Sequence, residues 1–141
     1  MTFQSPFLRR AAVLLARFGL SSAFLSSVAD RFGAWGPPGS ASATWGDFQH
    51  FVAATAALNP SAPKALVPLL AWGTTVLEAG LGLALLIGLA TRAMALGAAA
   101  LLLVFAFVMI CSPMGVHAVF AHSLLTAAGA ALLLSAFADR A

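Results

Sequence analysis

An uninterrupted apolar run from position 93 to position 111 carries no charged side chain, and it limits how this chain can fold. A helix needs roughly 20 apolar residues to cross the hydrocarbon core of a bilayer, and this run has that length. Similar apolar segments occupy residues 8–29, 67–89 and 118–138. The sequence therefore predicts an all-α integral membrane protein, a bundle of four spanning helices.

The composition supports this class of protein. Charged residues make up only 8% of the 141 residues, and the mean hydropathy is +1.00. Soluble domains carry about a quarter charged residues, so this chain has too little polar surface to cover a soluble particle. The net charge of +3 does not indicate a nucleic-acid partner, because the basic residues lie mostly at the ends of predicted spans. We expect a single membrane domain over residues 1–141.

The only sizeable loop is predicted between the first two spans, at residues 30–66. Its first half is rich in Gly, Pro and Ser, which indicates irregular backbone. Its second half begins with Asp47, a good N-cap, and apolar residues follow at roughly helical spacing from Phe48 onward. We expect a short amphipathic helix there, ending at Asn59. This helix could lie on the membrane surface, cap the bundle, or do both.

The basic residues predict the orientation of the chain. Cytoplasmic segments of membrane proteins carry the excess of Lys and Arg. This rule places both termini in the cytoplasm and the long loop outside the inner membrane of a bacterium. The tryptophans agree, because Trp35, Trp45 and Trp72 all fall on the outer side, where interface anchors occur. The basic residues on the side of the termini are Arg9, Arg10, Arg92 and Arg140, against Arg31 and Lys64 on the other side.

Two charged residues lie deep inside predicted spans, far from the span ends. Arg17 is about 9 residues into the first span, roughly 13 Å deep, and Glu78 is about 11 residues from the inner end of the second, roughly 17 Å deep. A lone charge at mid-membrane is costly and usually faces a partner inside the bundle. The sequence therefore predicts that Arg17 and Glu78 meet. The pair could be architectural and fix the helix register, or Glu78 could exchange protons beside a bound ligand.

A second group of reactive side chains is predicted near the outer surface. His122 lies about one turn into the fourth span, with His117 before it, and Cys111 ends the third span. Imidazole and thiolate ligands suit a soft metal ion such as copper, so these residues and His50 are metal-ligand candidates. Their spacing matches no known ligand motif. The histidines could instead bond to backbone carbonyls, and Cys111 could be a packing residue that forms no internal disulfide.

Three features of the first three spans are typical of a known family. Arg17 lies inside the first span. The second span carries Glu78, followed by Gly82 and the apolar stretch LALLIGL, and a Thr91-Arg92 turn leads directly into an Ala/Leu-rich third span. In these features the chain resembles the DoxX family of small four-span membrane proteins. The loop WGPPGSASATWGDFQHFVAATAALNP is similar to one branch of that family.

The resemblance extends over residues 17–137 and implies both a fold and a function. The fold is a four-helix membrane bundle. The family is named for a subunit of a membrane thiosulfate:quinone oxidoreductase, so we expect a subunit or accessory of a quinone-linked redox complex. Any electron donor would belong to a partner protein at the outer face. In this hypothesis Glu78, Arg17 and His122 are the candidate catalytic residues, and Thr74, Thr75 and Thr126 are the candidate quinone-binding residues.

Two other functions also fit the sequence. The chain could anchor an outer-side protein through its tryptophan-rich loop, with no activity of its own. It could instead be a small transporter, because buried charges often mark solute paths and a homo-oligomer could form a path between protomers. The resemblance assigns no catalytic residues, so whether the chain is an enzyme stays open.

Overall fold

The computed structural model describes residues 5–138, and this part of the chain is built from six α-helices. The all-α prediction is confirmed. A 3₁₀ turn at Lys64–Leu66 leads directly into the third helix. Arg140, one of the basic residues used to predict the orientation, lies outside the described residues. The helices are α1 (Pro6–Asp30), α2 (Phe48–Leu58), α3 (Val67–Ile87), α4 (Thr91–Cys111), α5 (Gly115–Ala121) and α6 (Leu124–Phe137).

Three segments are long and apolar enough to cross a membrane: α1, the segment Lys64–Ile87 that contains α3, and α4. The last two helices, α5 and α6, pass the same test only as a pair. Large apolar side chains remain exposed along these segments, as lipid contact requires. The chain is therefore an integral membrane protein with three spanning helices, or four if the α5–α6 pair crosses as one.

The predicted continuous span at residues 118–138 is wrong in its shape. Two helices occupy this region, with a bend of 53° between them. Ser123 has a positive φ of 52°, a left-handed conformation that ends a right-handed helix. The N–H of Ser123 bonds to the carbonyl of Phe120, and the carbonyl of Ser123 accepts from Ala127 to begin α6. Two residues, His122 and Ser123, therefore separate the two helices.

Helices α1 and α3 pack antiparallel, and three contacts define their register. Near the middle of α1, Arg17 bonds to carbonyls at the end of α3. Further along, Gly82 allows a close approach, because a Cβ on it would lie only 2.9 Å from the Leu25 side chain. Just past the end of α1, Arg31 reaches Thr75. The middle of α3 therefore faces the last turns of α1.

The core lies largely between α4 and α6. Small residues on both helices let the backbones approach closely, which is how spanning helices pack when lipid removes the hydrophobic driving force. Leu20 and Phe24 of α1 add larger side chains to the same core. The buried alanines of this contact are Ala95, Ala98, Ala99 and Ala106 on α4, and Ala128 and Ala131 on α6.

Candidate functional site

A buried ion pair joins the C-terminal end of α1 to the middle of α3. Arg31 directly follows the last residue of α1, and its Nη2 lies 2.6 Å from Oε2 of Glu78. The two side chains are only 3% and 4% exposed. Glu78 therefore has its charge partner inside the protein rather than in solvent.

Three further groups surround the Arg31 guanidinium. Nη1 donates to the hydroxyl of Thr75 at 2.8 Å, and Nη2 donates to the hydroxyl of Ser27 at 3.2 Å. The ring of Phe51, from α2, covers the guanidinium with its centroid 3.7 Å from the central carbon. A cation over an aromatic face is attracted by the ring quadrupole, most strongly when both are desolvated. We call Ser27, Arg31, Thr75 and Glu78, with Phe51 above them, the outer polar cluster, after the orientation that the sequence predicts.

The predicted pairing of Arg17 with Glu78 is wrong. The antiparallel register places Arg17 beside the end of α3, where its Nε donates to the carbonyl of Leu85 at 3.0 Å. Glu78 lies two helical turns away from that carbonyl along α3, roughly 10 Å at helical rise. The prediction assumed that the N-terminal end of the first span and the C-terminal end of the second lie at the same level. In fact α1 begins at Pro6, and its N-terminal turns extend well beyond the end of α3.

Arg17 instead satisfies the carbonyls at the C-terminal end of α3. Its Nη2 donates to the carbonyl of Leu86 at 3.1 Å. Gly88 follows the helix in the left-handed conformation, with its N–H bonded to Leu85, while the N–H of Leu89 reaches back to Ala84. Basic side chains often bond to the last carbonyls of a helix, which carry its negative dipole end. Arg17 is therefore a structural cap in this arrangement.

Asp30 hydrogen-bonds to the long loop beside the outer polar cluster. Its Oδ2 accepts the backbone N–H groups of Thr44 and Trp45 at 2.9 and 2.8 Å. The rings of Trp45 and Phe51 then pack in a T-shaped pair, with 5.4 Å between centroids. The loop and α2 thus form one cover over Arg31, and the acidic residue beside the ion pair holds this cover in place.

Three aromatic rings form a surface next to this cover, which we call the outer aromatic cluster: Phe32, Phe48 and Trp72. Phe48 packs on Trp72 at 4.3 Å between centroids and stacks on Phe32 at 5.9 Å. Phe32 is 59% exposed and Trp72 is 49% exposed. The rings belong to three different segments of the chain. Together they form an apolar surface at the point where α1, α2 and α3 meet.

The candidate quinone-binding threonines lie in different environments. Thr75 is buried and bonded to Arg31, and its hydroxyl also donates to the carbonyl of Ala71. Thr74 is half-buried on the same helix, and Thr126 is exposed on α6. The outer polar cluster therefore includes one of the three.

The candidate metal ligands are all exposed, namely His50, Cys111, His117 and His122. Within residues 5–138, no three His, Cys, Asp or Glu side chains come close enough to hold a metal ion. His50 contacts Asp47, with Nδ1 2.9 Å from Oδ1. His122 lies at the break between α5 and α6, where its backbone closes the last turn of α5.

Asp47 is the N-cap residue of α2, and it also bonds to His50 in this role. Its side chain accepts the backbone N–H of His50 at 2.8 Å. This bond, together with the contact to the His50 ring, holds the pKa of the Asp47 carboxyl below its usual range. The ionised carboxylate is therefore the form that stabilises the start of α2.

Sequence reasoning missed four members of this site: Ser27, Asp30, Arg31 and Phe51. Arg31 was assigned to the loop because it follows the predicted first span. A usable signal was its spacing from Ser27, since residues four apart share one helix face. That face continues towards the core through Phe24. The spacing of Ser27 and Arg31 therefore indicates that the core-facing side of α1 becomes polar at its C-terminal end.

The fold and this site define a small helical membrane protein with a buried ion pair between two spanning helices. A model of the DoxX family matches residues 12–111, well over half of the chain. The chain belongs to the DoxX family. The match includes Arg31 and Glu78 and ends before α5. No curated protein and no solved structure matches the chain.

Proposed function

We propose that this chain is an accessory subunit of a quinone-linked redox complex, contributing membrane structure and a docking surface. The observation that carries this proposal is the closed geometry of the outer polar cluster. Glu78 is buried against Arg31, whose guanidinium is in turn bonded to two hydroxyls and covered by a ring. A carboxylate held in this way suits an architectural role. Family membership supports the redox context.

The outer aromatic cluster supports docking at the outer face. Exposed Trp and Phe side chains are the residue types that anchor protein interfaces. The cluster sits on the cover that Asp30 and Phe51 hold over the ion pair, so its position is fixed by buried contacts. A redox protein on the outer side would dock here and pass electrons to membrane quinone. The half-buried Thr74 and the exposed Thr126 and His122 stay the groups of this chain proposed to face a quinone headgroup.

A membrane anchor without redox chemistry is the second candidate function. The same aromatic surface favours it, because docking needs only a rigid, exposed apolar patch. The two proposals differ in what the partner carries. In either case we propose that the protein lies in the inner membrane of a bacterium as a four-helix bundle, with both termini in the cytoplasm.

Co-isolation tests the proposed function. The tagged chain is extracted with a mild detergent from the membranes of its native host and analysed by native mass spectrometry. We expect a redox protein and a quinone to accompany it. Replacing Phe32 and Trp72 by Ala should release the protein partner, because the proposed docking surface then loses two exposed aromatic rings. Phe107→Ala is the matched control, since this exposed ring lies on α4.

Three results would decide between the proposals. A partner with no redox centre and no quinone would favour the anchor. Partner retention in the double variant would exclude the aromatic cluster as the docking surface. A parent chain that carries only phospholipid, alone or as a homo-oligomer, would contradict both proposals and favour a transport function.

A further inference from the structure

Two buried polar atoms on successive residues lack a hydrogen-bond partner beside the outer polar cluster. One is Oδ1 of Asp30, and the other is Nε of Arg31. Both residues are almost completely buried, at 4% and 2% exposure. Every other polar contact described for these side chains uses a different atom. Oδ2 of Asp30 binds the loop, and the two Nη atoms of Arg31 bind Ser27, Thr75 and Glu78.

The position of these atoms makes an unpaired state unfavourable. Buried polar groups in proteins are almost always hydrogen-bonded. The requirement is stricter beside a bilayer, because the hydrocarbon offers no partner. The cover of α2 and the loop keeps bulk solvent away from both atoms, since Phe51 lies over the guanidinium and Trp45 lies against Phe51. A partner must therefore be held inside the structure.

The chemistry of the two atoms defines this partner. Nε–H of Arg31 can only donate, so it needs an acceptor. Oδ1 of Asp30 is an acceptor, so it needs a donor. The two residues are consecutive in the chain, and both are buried where the loop and α2 close over the end of α1. A single hydroxyl-sized group that accepts from one and donates to the other satisfies both. Water is the smallest such group, and buried waters typically bridge otherwise unsatisfied polar groups in this way.

We propose that Asp30 and Arg31 form a binding site for an ordered water molecule beneath the α2 cover. The water lies at the outer end of α1 and completes the hydrogen bonds of the outer polar cluster. On the inner side, apolar Phe24 and Leu85 are buried in the core, so hydration stops at the cluster. This inference is independent of the proposed redox function.

Arginine side-chain NMR tests the site, and the chain supplies its own control. The protein is labelled with ¹⁵N-arginine in lipid nanodiscs, with the four other arginines replaced by Lys so that only Arg17 and Arg31 contribute signals. Arg17→Lys then assigns the two. Water-edited spectra are recorded at mildly acidic pH, where guanidinium protons exchange slowly with the bulk. Nε–H of Arg17 is the control because it donates to the Leu85 carbonyl.

We expect a cross-peak to water at Nε–H of Arg31 and none at Nε–H of Arg17. Absence of this cross-peak at Arg31, with exchange as slow as at Arg17, would overturn the proposal. A cross-peak from Arg31 to lipid protons in place of water would also overturn it, because a lipid hydroxyl would then occupy the site. Equal water contact at both arginines would show general hydration of the α1–α3 contact and would contradict a defined site.

Discussion

At the scale of single residues, the ion pair between Arg31 and Glu78 explains how a carboxylate is kept inside a spanning helix. An unpaired charge at the centre of such a helix costs on the order of 3 kcal/mol or more. Arg31 supplies the opposite charge at 2.6 Å, and Thr75 and Ser27 accept hydrogen bonds from two further Nη–H groups. The arginine enters from the end of α1, where its backbone is outside the span. Its long side chain then reaches one turn towards the middle of α3.

Removing one partner of this pair should be more damaging than removing both. Glu78→Gln leaves the guanidinium buried without its counter-charge, and breaking a buried pair in this way costs about 3–5 kcal/mol. The double variant Arg31→Met with Glu78→Leu fills similar volume with apolar groups, and such replacements are often neutral. We expect the double variant to recover most of the stability lost in Glu78→Gln. The single variants Arg31→Met and Glu78→Leu complete a double-mutant cycle with the parent and the double variant. Thermal and denaturant unfolding in detergent, followed by tryptophan fluorescence, measures the stability of each.

The cycle also separates an architectural pair from a proton carrier. An architectural pair predicts a large coupling free energy between the two positions and retained partner binding in the double variant. A Glu78→Gln protein as stable as the parent, or losses that simply add in the double variant, would contradict the architectural role. Loss of partner-linked redox activity in a stable double variant would assign a chemical role to the pair.

Gly88 is a second residue whose identity the structure explains. Its φ of +81° is a conformation that side chains rarely adopt, and a Cβ there would lie 2.5 Å from Nη2 of Arg17. We expect Gly88→Ala to destabilise the protein by at least about 1–2 kcal/mol, the cost of a left-handed alanine. Displacement of Arg17 from the end of α3 adds to this loss. The measurement is the midpoint of thermal unfolding in detergent.

Gly80→Ala is the control for this substitution. Gly80 lies inside α3, and a Cβ on it would meet nothing within 4 Å. Alanine is favoured over glycine in a helix interior by roughly 0.5–1 kcal/mol, so this variant should be neutral or more stable. Equal losses at Gly80 and Gly88 would show that the special contact with Arg17 is unimportant.

At the scale of secondary structure elements, the sequence predicted helices better than it predicted their contacts. The apolar runs identified α1, α3 and α4, because length and hydropathy suffice to recognise a spanning helix. The α5–α6 break was missed. Its cause is a single left-handed Ser123, and no glycine or proline marks the position. The Arg31 contact was missed because helix register depends on packing between segments, which one-dimensional spacing does not contain.

The N-terminus of α2 should respond to acid through Asp47. The pKa of this carboxyl is lowered by its bonds to His50, so the folded state favours the ionised form. The stabilisation is fully present above the unfolded pKa of about 3.9, and it is lost as the pH falls from there through the depressed folded pKa. We expect the backbone amides of the first turn of α2 to exchange faster with solvent as the pH falls through this range, after correction for intrinsic rates.

Asp47→Asn isolates the contribution of this one carboxyl. The amide oxygen of Asn can still accept the cap hydrogen bond, but it does not titrate. Exchange at the first turn of α2 should therefore lose its acid dependence in the variant. The same acid dependence in parent and variant would assign it to another group.

At the scale of the whole molecule, the bent α5–α6 pair decides how the chain crosses the membrane. The segments α1, Lys64–Ile87 and α4 form three crossings by length and composition. If the pair crosses as one broken span, both termini lie on the same side. If the α5–α6 pair enters the membrane and returns to the same side, the termini lie on opposite sides. The packing of α6 along α4 favours a crossing, because the buried alanines of both helices lie along their contact.

Reporter fusions distinguish these two topologies. With four crossings and the predicted orientation, a fluorescent protein should be bright at either terminus, because it folds in the cytoplasm. Alkaline phosphatase inserted after Gly39 in the long loop, or after Pro113 between α4 and α5, should be active, because it folds outside. The positive-inside bias of Arg9, Arg10 and Arg92 is the reason for this orientation.

Active phosphatase at the C-terminus, with a bright reporter at the N-terminus, would mean that α5 and α6 form a re-entrant hairpin. All reporters inverted would preserve four crossings but reverse the orientation, and would place the outer polar cluster towards the cytoplasm.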